Sequence, residues 1–351
     1  MDLLEDLDLS AFEEVWAAIY GEYEWLAQAD FLDKTNLLNV ENFSLVGFSQ
    51  GLINYAMHEI QVTFMGFRNI LIFLLLMALF KNIQSSFSMR YEKATNLILK
   101  LVLVVQLFQL FIFYHNYTLE VLTRYMNIVV VIFPPLISLV MITGAFWNHM
   151  IFQPPIVFLI NASYFFVHFV GMPLTVVGTV LGFINRIGTS DLYGRLIHLI
   201  NKLALWILGG YFAFFLTLLS IQNITLSFSN GLFFRTTQSL VNHIPIIGTR
   251  FTDTVVSVIA SLSIMRNSVG LLGIITLMVF ISFPIVKILI AVVLFRLLNA
   301  VLQPLIDKEI AQILDVFNTG MMNLLVIMII VGVMFIFTFF IILYSSNMML
   351  R

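Results

Sequence analysis

Residues 322–344 contain no charged side chain, and five or six other stretches come close to the same condition. About 20 apolar residues in a helix cross the ~30 Å hydrocarbon core of a bilayer. Backbone amides in lipid must bond inside their own segment or around a closed barrel, so runs of this length become helices or barrel walls. Barrel strands alternate lipid-facing and lumen-facing residues, and these runs do not alternate. The expectation is an all-α polytopic membrane protein. Its composition agrees, with 60% hydrophobic and only 10% charged residues, against roughly 25% charged in a water-soluble chain.

Charge divides the chain in two. Residues 1–61 hold 12 acidic side chains and one base, Lys34, whereas residues 62–351 hold 16 bases and 7 acids. The division predicts an acidic, water-exposed head, 1–61, followed by a basic membrane domain, 62–351. Within the head, Ser10 and Glu13 form a capping box, and Phe12, Trp16, Ile19 and Tyr23 fall on one helical face. That face either packs within the head and on the membrane surface or docks a partner protein. A second amphipathic stretch, 43–61, places Phe48, Leu52, Tyr55 and Ile60 among polar neighbours. The opening Met1-Asp2-Leu3-Leu4-Glu5-Asp6 has no basic or apolar region of a secretory signal. Cysteine is absent, which excludes disulfides and thiolate chemistry.

The expected spans are 62–80, 97–114, one or two crossings within 126–183, then 203–222, 269–300 and 322–344, six or seven in all. Lys81, Arg90 and Lys93 make the first connection cytoplasmic by the positive-inside rule, which puts the head on the other side. Residues 126–183 are interrupted by Pro134-Pro135, Pro154-Pro155 and Pro173. Two crossings there would put the loop with Arg186, Arg195 and Lys202 outside, against the charge rule. A re-entrant hairpin plus one crossing would return it to the cytoplasm.

Little here suggests catalysis. No Gly-x-x-x-x-Gly-Lys-Ser/Thr is present, and the six His never pair at metal-ligand spacing, so neither cofactor, metal nor nucleic acid is expected. His58-Glu59 reads as an exposed pair on a polar face, the alternative being a proton-active pair. The acids beyond residue 61 fall in expected connections or at their margins, and no proton relay is visible. Lys287 stands out. Either Pro284 ends a short segment and leaves Lys287 near an interface, or one helix places it near mid-membrane, where it must face protein or water. Arg296 carries the same ambiguity. The Pro-Pro pairs are structural kinks or breaks that expose backbone to a pathway, and Gly209, Gly210, Gly270 and Gly273 allow close helix packing.

Several linked motifs run through the C-terminal half: Arg235-Thr236, Ile244-Pro245-Ile246-Ile247-Gly248, Phe251-Thr252-Asp253, Asn267 to Gly273, Phe283 to Leu289, and Ala300 to Pro304 with Gln303. In order and spacing they resemble the stage III sporulation protein AE family. The likeness extends to His58-Glu59 and to the closing Met348-Met349-Leu350-Arg351. The resemblance implies a multi-pass protein of the mother-cell membrane around the forespore, with its head extracytoplasmic. It implies partnership with other stage III sporulation proteins of the same operon, one a cytoplasmic ATPase. With stage II sporulation Q these form a channel-like apparatus. The family carries no established catalytic residues, and its members usually begin with a signal peptide. The expected function is therefore a non-enzymatic subunit of a channel or secretion complex, in contact with membrane lipid and with self-association left open. The alternative is a freestanding secondary transporter for a small solute.

Overall fold

The computed structural model describes residues 44–84, 89–142, 157–188, 193–227 and 268–347, with Ala17 and Gly21 besides. Six long helices make up these residues: α1 Leu45–Gln84, α2 Met89–Ile142, α3 Val157–Ile187, α4 Gly194–Ser227, α5 Ser268–Leu302 and α6 Lys308–Asn347. Each contains a stretch long and apolar enough to cross a membrane. No strand occurs among the described residues. The chain is an all-α, multi-pass membrane protein.

The helices outrun the apolar stretches that announce them. At 1.5 Å per residue α1 is about 60 Å long, twice the hydrocarbon thickness. It begins where the Ser44 hydroxyl accepts the Gly47 amide at 3.0 Å, a helix cap. It then continues through residue 61 without a break, because neither Pro nor a turn motif separates the amphipathic stretch from the apolar one. One helix, not two, thus carries 45–84.

The same continuity decides the order of crossings in the middle of the chain. The second expected span, 97–114, is part of a helix that reaches Ile142 and passes through Pro134 and Pro135. Among the described residues, 126–187 contributes the end of α2 and one further helix, α3. Residues 143–156, with Trp147-Asn148-His149 and Pro154-Pro155, lie outside the described residues. The end of α3 and the start of α4 lie at the same end of the bundle as the end of α1 and the start of α2.

Side chains fix this alignment. Lys100, early in α2, bonds Glu309 at the start of α6. Arg186, at the end of α3, donates to the Gln312 amide oxygen at 3.1 Å, and Asn299 near the end of α5 donates to Asp315 at 2.8 Å. Toward the opposite end, Tyr125 of α2 donates to the Ile281 carbonyl of α5 at 3.3 Å. Glu309 is largely exposed, and exposed pairs contribute ~0–1 kcal/mol. Glu309→Gln should therefore lower detergent-state stability by less than about 1 kcal/mol. A thermal melt showing a collapse of the fold would contradict this.

The hairpin of α5 and α6 forms the centre. More than half of the apolar stretch of each is buried, against about a quarter in α1, α2 and α4. Phe295 packs on Phe317 at 4.3 Å and on Phe67 of α1 at 5.4 Å, edge to face. A smaller cluster joins Leu159, Tyr211, Phe215, Leu219 and Met334. The outward faces carry exposed apolar residues such as Leu76, Phe80, Phe113 and Trp206, the surface lipid would cover. Lipid tails are as apolar as these side chains, so helix association rests on close packing and interhelical polar contacts. Hydroxyls along the helices return to their own backbone. Thr118, Ser163, Thr175, Thr179 and Thr338 each donate to the carbonyl four residues earlier, which leaves no bare hydroxyl against hydrocarbon.

Pro284 and Pro173, like Pro134 and Pro135 in α2, are absorbed rather than ending helices. Pro284 sits inside α5, which continues on both sides. This overturns the reading in which Pro284 closes a short segment. Proline frees carbonyls in the turn before it, and there the Ile281 carbonyl takes the Tyr125 hydroxyl. In α3 a wide π turn, Val167–Gly171, precedes Pro173, and the Met172 amide reaches back to the Val167 oxygen. An inserted residue of this kind accommodates a proline ring that would clash with a regular turn.

Candidate functional site

Along α1 the buried positions are Phe48, Gly51, Tyr55, Glu59, Thr63, Phe67, Ile70, Leu74 and Met77, a stripe with steps of three or four. Glu59 therefore faces inward, only 4% exposed. It is not the exposed residue of a polar face, because its stripe is the one α1 presses against α5. A buried carboxylate needs a partner. Lys287, near the middle of α5, supplies it, with Nζ 3.7 Å from Glu59 Oε1. This is an ionic contact longer than a hydrogen bond. The Thr63 hydroxyl, one turn along α1, donates to the same oxygen at 3.3 Å.

A third helix completes the site. The Tyr117 ring of α2 lies under Lys287, its centroid 4.9 Å from Nζ, within cation–π range. Tyr114, one turn earlier on α2, is buried beside Thr63 and Glu59. Tyr55 packs edge-on against Phe283 at 4.9 Å and closes the cluster on one side. Pro284 is buried in the same turn of α5 as Phe283. The arrangement neutralises two charges inside a bundle of span-length helices and ties α1, α2 and α5 together at one level. It holds opposite charges at contact distance, a state that a change of helix spacing would disturb.

The other expected residues are scattered. Arg296 is exposed nearly two turns from the end of α5, with Arg68 exposed next to the Phe67–Phe295 contact. Gln303 and Pro304 form the exposed connection after α5. Pro134 and Pro135 lie within α2, Gly270 in the first turn of α5, and Gly273 is buried on that helix. Pro245, Gly248, Phe12, Trp16, Ile19 and Tyr23 lie outside the described residues. A Cβ added on Gly209 or Gly210 would meet nothing within 4 Å, so neither glycine makes a close helix contact among the described residues. Sequence reasoning missed Glu59, Thr63 and Tyr117 as a unit with Lys287. The signal was the four-residue step Tyr55, Glu59, Thr63, Phe67, which was hidden by assigning Glu59 to the head.

A sequence profile of the stage III sporulation protein AE family matches residues 29–346. The chain belongs to the stage III sporulation protein AE family. Stage III sporulation protein AE of Bacillus subtilis (strain 168) is similar to it, with 25% identity over 348 residues that cover 97% of this chain and 87% of that protein. No solved structure matches the chain. The family match spans all six helices of this sporulation-family protein, so the Glu59–Lys287 cluster and every interhelical contact described above lie inside the matched region.

Proposed function

We propose that the chain is a non-enzymatic membrane subunit of a sporulation complex that joins mother cell and forespore, needed for forespore development after engulfment. The observation that carries this reading is the family match over residues 29–346 on a six-helix membrane bundle. Inside that bundle the carboxylate of Glu59 and the ammonium of Lys287 are held against each other. Its partners on this reading are other stage III sporulation proteins and stage II sporulation Q, reached through the acidic residues that precede α1.

The end of the bundle where α1, α3 and α5 finish and α2, α4 and α6 start is rich in bases by sequence position: Lys81, Arg90, Lys93, Arg186, Arg195, Lys202 and Lys308. By the positive-inside rule that end faces the cytoplasm, and the acidic head stands on the other side. The chain contains no cysteine, so single cysteines report cleanly. Gly188→Cys and Leu305→Cys should react with an impermeant maleimide only after the cytoplasmic side is opened, whereas Lys34→Cys should react in intact cells. The reverse pattern would invert the orientation. A complex captured from sporulating cells should lose its partner proteins when residues 1–42 are deleted. Full recovery would remove the head from assembly.

A further inference from the structure

A second polar region lies well away from the Glu59–Lys287 pair. Where α3 ends, α4 begins and α6 leaves its first turns, the three helices enclose an open cavity of about 290 Å³. Its lining includes Arg186, Asn201, Gln312, Asp315 and Thr319. Glycines make room for it. The Asn201 side-chain oxygen stands where a Cβ on Gly178 would press against it, and Val316 lies 2.7 Å from one on Gly182. Asn201 is further held by the Asn323 amide at 3.3 Å.

Arg186 is half-buried and Asp315 exposed, so each has hydrogen-bonding capacity to offer a ligand. Arg186 has one partner, the neutral Gln312 amide, and a guanidinium offers five donors. Asp315 has one partner, Asn299, and a carboxylate offers about four acceptor sites. They share the cavity yet form no ion pair with each other, although ion pairs as long as 3.7 Å occur elsewhere in the chain. A lone anion seated here would meet Asp315, and a lone cation would meet Arg186. A group with both charges satisfies both residues.

We propose that this cavity binds a small amphoteric group, an anion and an ammonium a few bonds apart. Its volume is near the lower limit of ligand pockets, ~300 Å³, which suits a group the size of an amino acid. Two sources carry that chemistry: a dissolved amino acid, and the phosphoethanolamine headgroup of a lipid, since the cavity lies toward the end of the bundle where α3 finishes and α4 and α6 start. The inference is independent of which complex the chain joins.

The test uses the full chain, purified in detergent free of ethanolamine lipid. One arm measures the melting temperature with L-alanine, L-glutamate or phosphoethanolamine, and with acetate or ethylamine as half-ligands. The other measures by native mass spectrometry whether phosphatidylethanolamine is retained over phosphatidylglycerol. A rise of several degrees with amphoteric probes but not half-ligands identifies a dissolved ligand. Selective lipid retention identifies a headgroup. Either supports the proposal, provided Arg186→Gln and Asp315→Asn each weaken the effect tenfold or more. Thr319→Phe, which fills the cavity from its exposed rim, should abolish binding while leaving the unliganded melt near wild type. Responses in neither arm, equal responses to acetate and ethylamine, or binding that survives all three substitutions would overturn it.

Discussion

Replacing Lys287 with Met should cost the protein about 3–5 kcal/mol of stability, the penalty for a buried charge left without its partner. The loss arises at Glu59, which would keep only the Thr63 hydroxyl in a position 4% exposed. Glu59→Gln should cost less than half as much, because Lys287 is about a quarter exposed and retains the Tyr117 ring. The double substitution Glu59→Gln with Lys287→Met should recover most of the loss, since two neutral side chains of similar size need no compensation. Denaturant titration of the three variants in one detergent measures the pair coupling. Equal losses in Lys287→Met and in the double variant would show that the ion pair does not organise α1 against α5.

Gly320→Leu should be the most damaging small-to-large change among the described glycines. A Cβ at this position of α6 would stand 2.6 Å from the Thr179 hydroxyl and 3.0 Å from the Phe111 ring. Neither neighbour can withdraw: Thr179 is tied to the Thr175 carbonyl at 2.8 Å, and Phe111 is fully buried. Alanine alone should cost about 1–3 kcal/mol, and leucine should force α2, α3 and α6 apart, with loss of the folded species on size exclusion. Gly209→Leu is the control. Nothing lies within 4 Å of that position, so its melt should stay close to wild type. Comparable damage at both positions would mean that Gly209 has a packing partner and that the tight three-helix contact at Gly320 is not special.

These two experiments also mark where sequence reasoning ends. The apolar runs identified the membrane class and nearly all the crossings, because hydrophobic length is a local property. Helix limits were not local. The polar turns at 45–61, 115–127 and 308–320 continue their helices beyond the apolar runs, so Glu59 and Asp315 looked like residues of a head and a loop. Lys287 was legible as an anomaly because a lone base in an apolar run stands out. Its partner was not, since that partner lies on another helix more than two hundred residues away. Gly209-Gly210 looked like a packing motif but meets nothing within 4 Å, whereas Gly320, unremarked in sequence, meets two side chains. The cavity at Arg186 and Asp315 draws on three separate helices, and no spacing along the chain predicts it.

The six described helices alternate in direction, so the bundle has two dissimilar ends. The ends of α1, α3 and α5 meet the starts of α2, α4 and α6 at one of them, and the ties made by Lys100, Arg186 and Asn299 all fall there. The recess at Arg186 opens near that same end, so a molecule seated in it would bear on α3, α4 and α6 at once.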